Sequence, residues 1–210
     1  QEWADELEKT FLTRGVCKAF IPMVSDSGGT VHVDGKTDED VWQRAAANAS
    51  PDSGVLPARP ETGETTLTLC WDEENVYMKC TSAVAMAEPV LTLSLLTRLD
   101  ARPENAAWWK LVVPQGGAPQ LNKVEEGKEY PQDSRMEVAR PSDAGRYELE
   151  IAIPFTDLQV NQTPVEGNRW RISGSLSDEK QEATHATLYW GRAPETSPLH
   201  GEILEFRSSR

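Results

Sequence analysis

Apolar and polar positions alternate with a period of two along most of this chain, and that period marks β-strands. Leu67, Leu69 and Trp71 are separated by Thr68 and Cys70, and Val76, Met78 and Cys80 resume the alternation after Asp72, Glu73, Glu74 and Asn75. The pattern predicts two strands joined by a turn over 72–75, with Cys70 opposite Tyr77 and Leu67 opposite Cys80. Pro89 to Leu96 is more continuously apolar, as a central strand covered on both sides would be. Trp108 to Val113, Arg135 to Ala139, Tyr147 to Ile153, Trp170 to Leu176, Ala186 to Trp190 and Glu202 to Phe206 read as further short strands. Val31 to Trp42 reads as an opening strand. The stretches 47–62 and 178–184 read as loops, and Pro154 opens a single helical turn. About nine or ten strands with turn-rich connections predict an all-β chain, an antiparallel, jelly-roll-like β-sandwich.

One segment follows another period. Trp3, Leu7 and Phe11 recur at i, i+4 and i+8, and Gly15 stands where a helix would be capped. This predicts an added N-terminal helix, so residues 1–30 form a helix and extension and 31–210 the sandwich. The helix docks on the sandwich or on a partner, which makes Trp3, Leu7 and Phe11 candidate partner-binding residues.

A length of 210 residues suits one large domain with a sizeable core. The net charge of −13 excludes nucleic acid and an anionic membrane surface as natural partners. No apolar run reaches the roughly 18 residues that span a bilayer. A start at Gln1 without Met, and sequons at Asn48 and Asn161, suggest an exported, processed product. Three cysteines make no disulfide framework. Cys70 and Cys80 should point to opposite faces of their hairpin and stay unbonded, while Cys17 could pair with either or remain a thiol.

Four motifs in order give the chain a resemblance. Asp34, Gly35, Asp38 or Asp40, and Trp42 are followed by Trp71-Asp72 with Val76-Tyr77. Glu150 to Leu158 then reads E-I-A-I-P-F-T-D-L, and Tyr189-Trp190 precede His200, Gly201 and Ile203. The series resembles the family 9 carbohydrate-binding modules and their relatives of the DOMON-like β-sandwich class. The resemblance spans about residues 31–206 and implies a fold that binds and does not cleave. It implies a sugar clamped between two tryptophans, but the matching places hold Ala85 to Glu88 and Ala193 to Leu199, with no aromatic. The position of a family carboxylate is Thr92, that of an arginine is Lys110, and that of a polar turn is Asp178. It also implies structural calcium in some members.

The candidate sugar-binding residues are therefore Trp108, Lys110, Asp178, Arg192 and Thr92. Alternation puts Trp109 in phase with Leu111 and Val113, towards a core, and Trp108 in phase with Lys110, towards a surface. The pair is either packing alone or packing plus an aromatic platform. Trp42, Trp71, Trp170 and Trp190 read as core. The acidic turns around Asp72, Glu73 and Asp38 offer the hard oxygen ligands that Ca²⁺ takes, or they are simply solvated. His32, His185 and His200 show no metal-ligand spacing. No nucleophile, metalloprotease or phosphate-loop motif is present, so no enzyme is expected. The sequence leads to an exported, non-catalytic carbohydrate-binding module. The alternative is an accessory subunit that uses the sandwich and its helix to bind protein.

Overall fold

A computed structural model describes residues 17–24, 31–35, 40–47, 55–57, 65–84, 86–97, 107–140, 147–160, 164, 167–178, 180, 188–190 and 202–207. Two sheets face each other. The smaller contains β2 (Val55–Pro57), β3 (Thr65–Trp71), β4 (Asn75–Ser82), β10 (Tyr147–Pro154) and β9 (Glu137–Ala139), in that order across the sheet. The larger runs β1 (Cys17–Pro22), β13 (Glu202–Arg207), β11 (Arg169–Asp178), β5 (Pro89–Leu96), β6 (Trp108–Pro114), β7 (Gln120–Glu125) and β8 (Lys128–Gln132). Strand β12 (Leu188–Trp190) also pairs with β11, beside β13. The pairings are antiparallel except that of β1 with β13.

Alternation dictates which side chains meet between the sheets. Leu67, Leu69, Met78, Leu149 and Ile151 come from one sheet and Leu91, Leu93, Leu95, Leu111 and Ile172 from the other, all essentially inaccessible. At one end Phe206 packs edge-on against Trp71 and Trp170, with ring centroids 5.4 and 4.7 Å apart. Trp190 donates its indole N–H to the Leu56 carbonyl at 3.0 Å, tying β12 to β2 across the core. The β3–β4 hairpin has the expected register, with Cys70 opposite Tyr77 and Leu67 opposite Cys80. Neither is in a disulfide and both are buried, Cys80 in the main core and Cys70 in a smaller cluster on the outer side.

The opening strand expected over Val31–Trp42 is not there. Residues 31–33 have no regular structure, and Asp40–Ala47 is a helix, α1, with Asp40 in its first turn. The reason lies in Val41 and Trp42, which are both buried and both pack in the outer cluster with Cys70, Tyr77 and Ala152. A strand would send these neighbours to opposite faces, whereas a helix keeps them on one side. The following Gln-Arg-Ala-Ala-Ala also has strong helix propensity. Nearby, the fully buried Glu150 accepts a hydrogen bond from the Gly35 N–H at 3.1 Å, which fixes segment 31–35 against β10. That contact joins two motifs that lie far apart in the sequence.

Three further differences concern extent. Strand β1 joins the large sheet, so the sandwich begins before Val31. Strand β2 lies within the stretch expected to be loop, and β7 and β8 form an additional hairpin. The N-terminal helix with Trp3, Leu7 and Phe11 lies outside the described residues.

Candidate functional site

The outer face of the large sheet gathers three of the five candidates. Strand β6 alternates strictly: Trp109, Leu111 and Val113 are buried, while Trp108, Lys110 and Val112 are half-buried on the other side. Inward-facing Leu91, Leu93 and Leu95 leave Thr92 and Ser94 of β5 on that same outer side. In register, Thr92 lies opposite Val112 and Ser94 opposite Lys110. Thr92 is thus two residues, about 7 Å, along the strand from the Lys110 row. Across the other edge of β6, Lys110 faces Asn122 and Trp108 faces Val124.

Sequence reasoning missed two residues that complete this face. Lys110 Nζ donates to Glu129 Oε1 at 2.6 Å, and Asn122 Nδ2 donates to Glu129 Oε2 at 3.2 Å. Each oxygen of the carboxylate therefore has a donor. The pair is partly exposed, with Lys110 at 27% and Glu129 at 45%, so it adds little stability. It joins an ammonium, an amide and a carboxylate on the same sheet face as Trp108. Both missed residues belong to the unexpected β7–β8 hairpin. The signal for it was Glu126-Gly127 between two short polar runs: both residues have positive φ (52° and 74°), as a tight two-residue hairpin turn requires.

Asp178 does not join this face. It ends β11 opposite Pro89, on the other pleat from Ser175 and Ser177, and it is 3% exposed. Its Oδ2 accepts from the Ala87 N–H at 2.7 Å, and its Oδ1 from the N–H groups of Glu88 and Lys180 at 3.1 Å each. The Ala87 bond above all holds this carboxyl below the usual aspartate range. These three bonds take up most of its acceptor capacity and hold the loop before β5, away from the Trp108 face. Lys180 also pairs with Glu88 over the same loop. Arg192 lies outside the described residues.

The acidic turn at Asp72 is likewise internally committed. Its Oδ1 accepts from the N–H groups of Glu74 and Asn75 at 2.8 and 2.7 Å, and its Oδ2 from the Tyr77 hydroxyl at 2.6 Å. Burial and the neighbouring Asp72 carboxylate raise the Tyr77 hydroxyl pKa well above that of a free phenol. Glu73 is exposed beside it, and Asp38 lies outside the described residues. Among the described residues no three His, Cys, Asp or Glu side chains converge where a metal ion could sit. No described helix is long and apolar enough to cross a membrane.

No protein-family model matches the sequence, and no curated protein matches it. Among solved structures the fold is similar to that of a carbohydrate binding module family 9 (CBM9) from Caldicellulosiruptor kristjanssonii in complex with cellotriose. The TM-score is 0.57 at 11% identity, over 91% of this chain and 94% of that one. It is equally similar to a CBM9 from the same organism in complex with glucose, with a TM-score of 0.55 at 11% identity, over 92% and 97% of the two chains. With two facing sheets and this overall likeness, the chain has the β-sandwich fold of the family 9 carbohydrate-binding modules.

Proposed function

We propose that the chain is a non-catalytic carbohydrate-binding module, exported from the cell, whose ligand lies on the outer face of the large sheet over Trp108. The observation that carries this reading is the half-buried Trp108 on the same sheet face as the hydrogen-bonded group Lys110, Asn122 and Glu129. A pyranose offers an apolar ring face and a rim of hydroxyls. An indole platform flanked by an ammonium, an amide and a carboxylate complements both. Thr92 extends the hydroxyl-binding side. The fold neighbours that hold cellotriose and glucose support the same class of ligand. Hydrolysis of a glycosidic bond needs two carboxylates flanking it. Beside Trp108 the described residues supply Glu129, which Lys110 and Asn122 already hold, so the face suits binding.

A glycan array with Ca²⁺ present, followed by calorimetry on the positives, tests the reading. Binding to at least one polysaccharide, weakened about tenfold or more by Trp108→Ala, is expected, since one aromatic anchor commonly dominates such a surface. Absence of binding to plant, algal and bacterial polysaccharides would overturn it.

A further inference from the structure

The opposite side of the sandwich carries a groove that the proposed sugar face does not use. It is an open trough of about 840 Å³ on the outer side of the small sheet, between segment 31–34, the β3–β4 turn, the start of β9 and the turn after β10. Its lining is aliphatic below and acidic above. Val33, Pro154 and Val160 are half-buried along it, over the buried Val31 and Ala152. Asp34, Glu73, Glu74 and Glu137 line it as exposed carboxylates. Among the described residues one guanidinium, Arg135, and the exposed His32 imidazole line it with them. Arg135 is itself engaged, donating to Thr156 Oγ1 at 2.6 Å and pairing with Asp157 at 3.7 Å.

The walls are held in place. The hairpin carrying Glu73 and Glu74 is closed by the three hydrogen bonds to Asp72, and segment 31–35 is held by Glu150 through the Gly35 N–H. The groove is therefore preformed, and its volume falls within the range of ordinary ligand sites. Its chemistry selects among ligands. An anion meets a lining in which, among the described residues, acidic side chains outnumber basic ones, within a chain of charge −13. A stacked sugar finds no exposed Trp, Tyr or Phe face among the described residues, because Tyr77 and Phe155 in the lining are 6% and 3% exposed. A metal ion finds no convergent ligand set among the described residues. What remains complementary is an elongated ligand that places positive charge against the carboxylates and aliphatic groups along the floor.

We propose that this groove is a second binding site, which takes an extended peptide segment bearing lysine or arginine side chains. It is independent of the sugar face, and either site can fail without the other.

The test uses the full chain and a fluorescein-labelled Lys-Leu-Lys-Leu-Lys-Leu peptide, with anisotropy read at about 0.15 M salt, where diffuse surface attraction is screened. The double variant Glu74→Gln, Glu137→Gln changes two exposed groove carboxylates. Glu125→Gln, Glu126→Gln makes the same charge change at the exposed β7–β8 turn. The groove variant is expected to weaken binding by about tenfold or more and the control by less than about twofold. A peptide with glutamate in place of lysine should not bind. Equal weakening by both variants would show only diffuse electrostatics and overturn the proposal. Absence of binding by the parent chain would do the same. Binding of a chitosan hexamer but not of the peptide would overturn the peptide assignment.

Discussion

Replacing each member of the Trp108–Trp109 pair separately distinguishes packing from recognition. Trp109 is 3% exposed and belongs to the main core, opposite Leu95 on β5 and Lys123 on β7. A buried tryptophan removes on the order of 200 Å² from water. Truncation to alanine forfeits most of that at about 25 cal/mol per Å², and the cavity left adds to the loss. The sum is about 3–5 kcal/mol, a large share of the roughly 5–15 kcal/mol that holds a domain folded. Trp108 is half-buried on the other face, so its truncation should cost about half as much. In a chain of this size each kcal/mol lowers the melting temperature by about 2–4 °C. Trp109→Ala should therefore melt about 6–20 °C below the parent, and Trp108→Ala about half as far below it. Thermal melts and urea titrations followed by circular dichroism, with calorimetric binding on both variants, are the assay. Trp108→Ala should lose carbohydrate binding while remaining folded. Equal destabilisation by the two variants would mean that both rings are core, and the reasoning from strand alternation would be refuted.

Four other substitutions test specific contacts. A Cβ at Gly174 would lie 2.4 Å from the Thr92 carbonyl and 2.6 Å from Leu93 Cδ2, so Gly174→Ala must displace β5. It should cost about 1–3 kcal/mol in chemical denaturation, and a neutral result would show that the β5–β11 spacing is looser than described. Asp72→Ala and Tyr77→Phe remove the two ends of one hydrogen bond. Their double-mutant cycle should show a coupling of about 1 kcal/mol, and strict additivity would dismiss the contact as an anchor of the hairpin. The Asp178 carboxyl is held below its ordinary range, so its contribution is present above the unfolded value of about 3.9 and fades as pH falls through the folded one. Melting temperatures of Asp178→Asn and the parent should thus differ by a constant amount above about pH 5 and converge in acid, whereas a gap that widens in acid would reverse the sign.

Much of the sandwich was legible because its strands are half-buried and advertise it. The alternations in 67–80, 108–113 and 147–153 correctly give β3, β4, β6 and β10, and that in β6 assigns both tryptophans to their faces. The failures have local causes. The segment ending at Trp42 resembles a strand only until one asks where Val41 goes, and the shared burial of Val41 and Trp42 makes it α1. Strand β8 escaped notice because it is an exposed edge, where polar residues and Pro131 are tolerated. With it went Glu129, the residue that organises Lys110 and Asn122. Asp178 was legible as an important carboxylate, but its partners are backbone N–H groups, which a sequence does not display.

The position of a bound sugar tests the central claim most directly. The chain has seven tryptophans, and Trp42, Trp71, Trp109, Trp170 and Trp190 are buried. A ¹H–¹⁵N correlation spectrum titrated with cellotriose, or with the best ligand from the array, reports each indole N–H separately. The account predicts that the Trp108 indole, the Asn122 side-chain amide and the backbone amides of β6–β8 move together along one saturating curve, while the buried indoles stay in place. Saturable shifts confined to the far side of the sandwich, or a spectrum unmoved by every glycan, would contradict it.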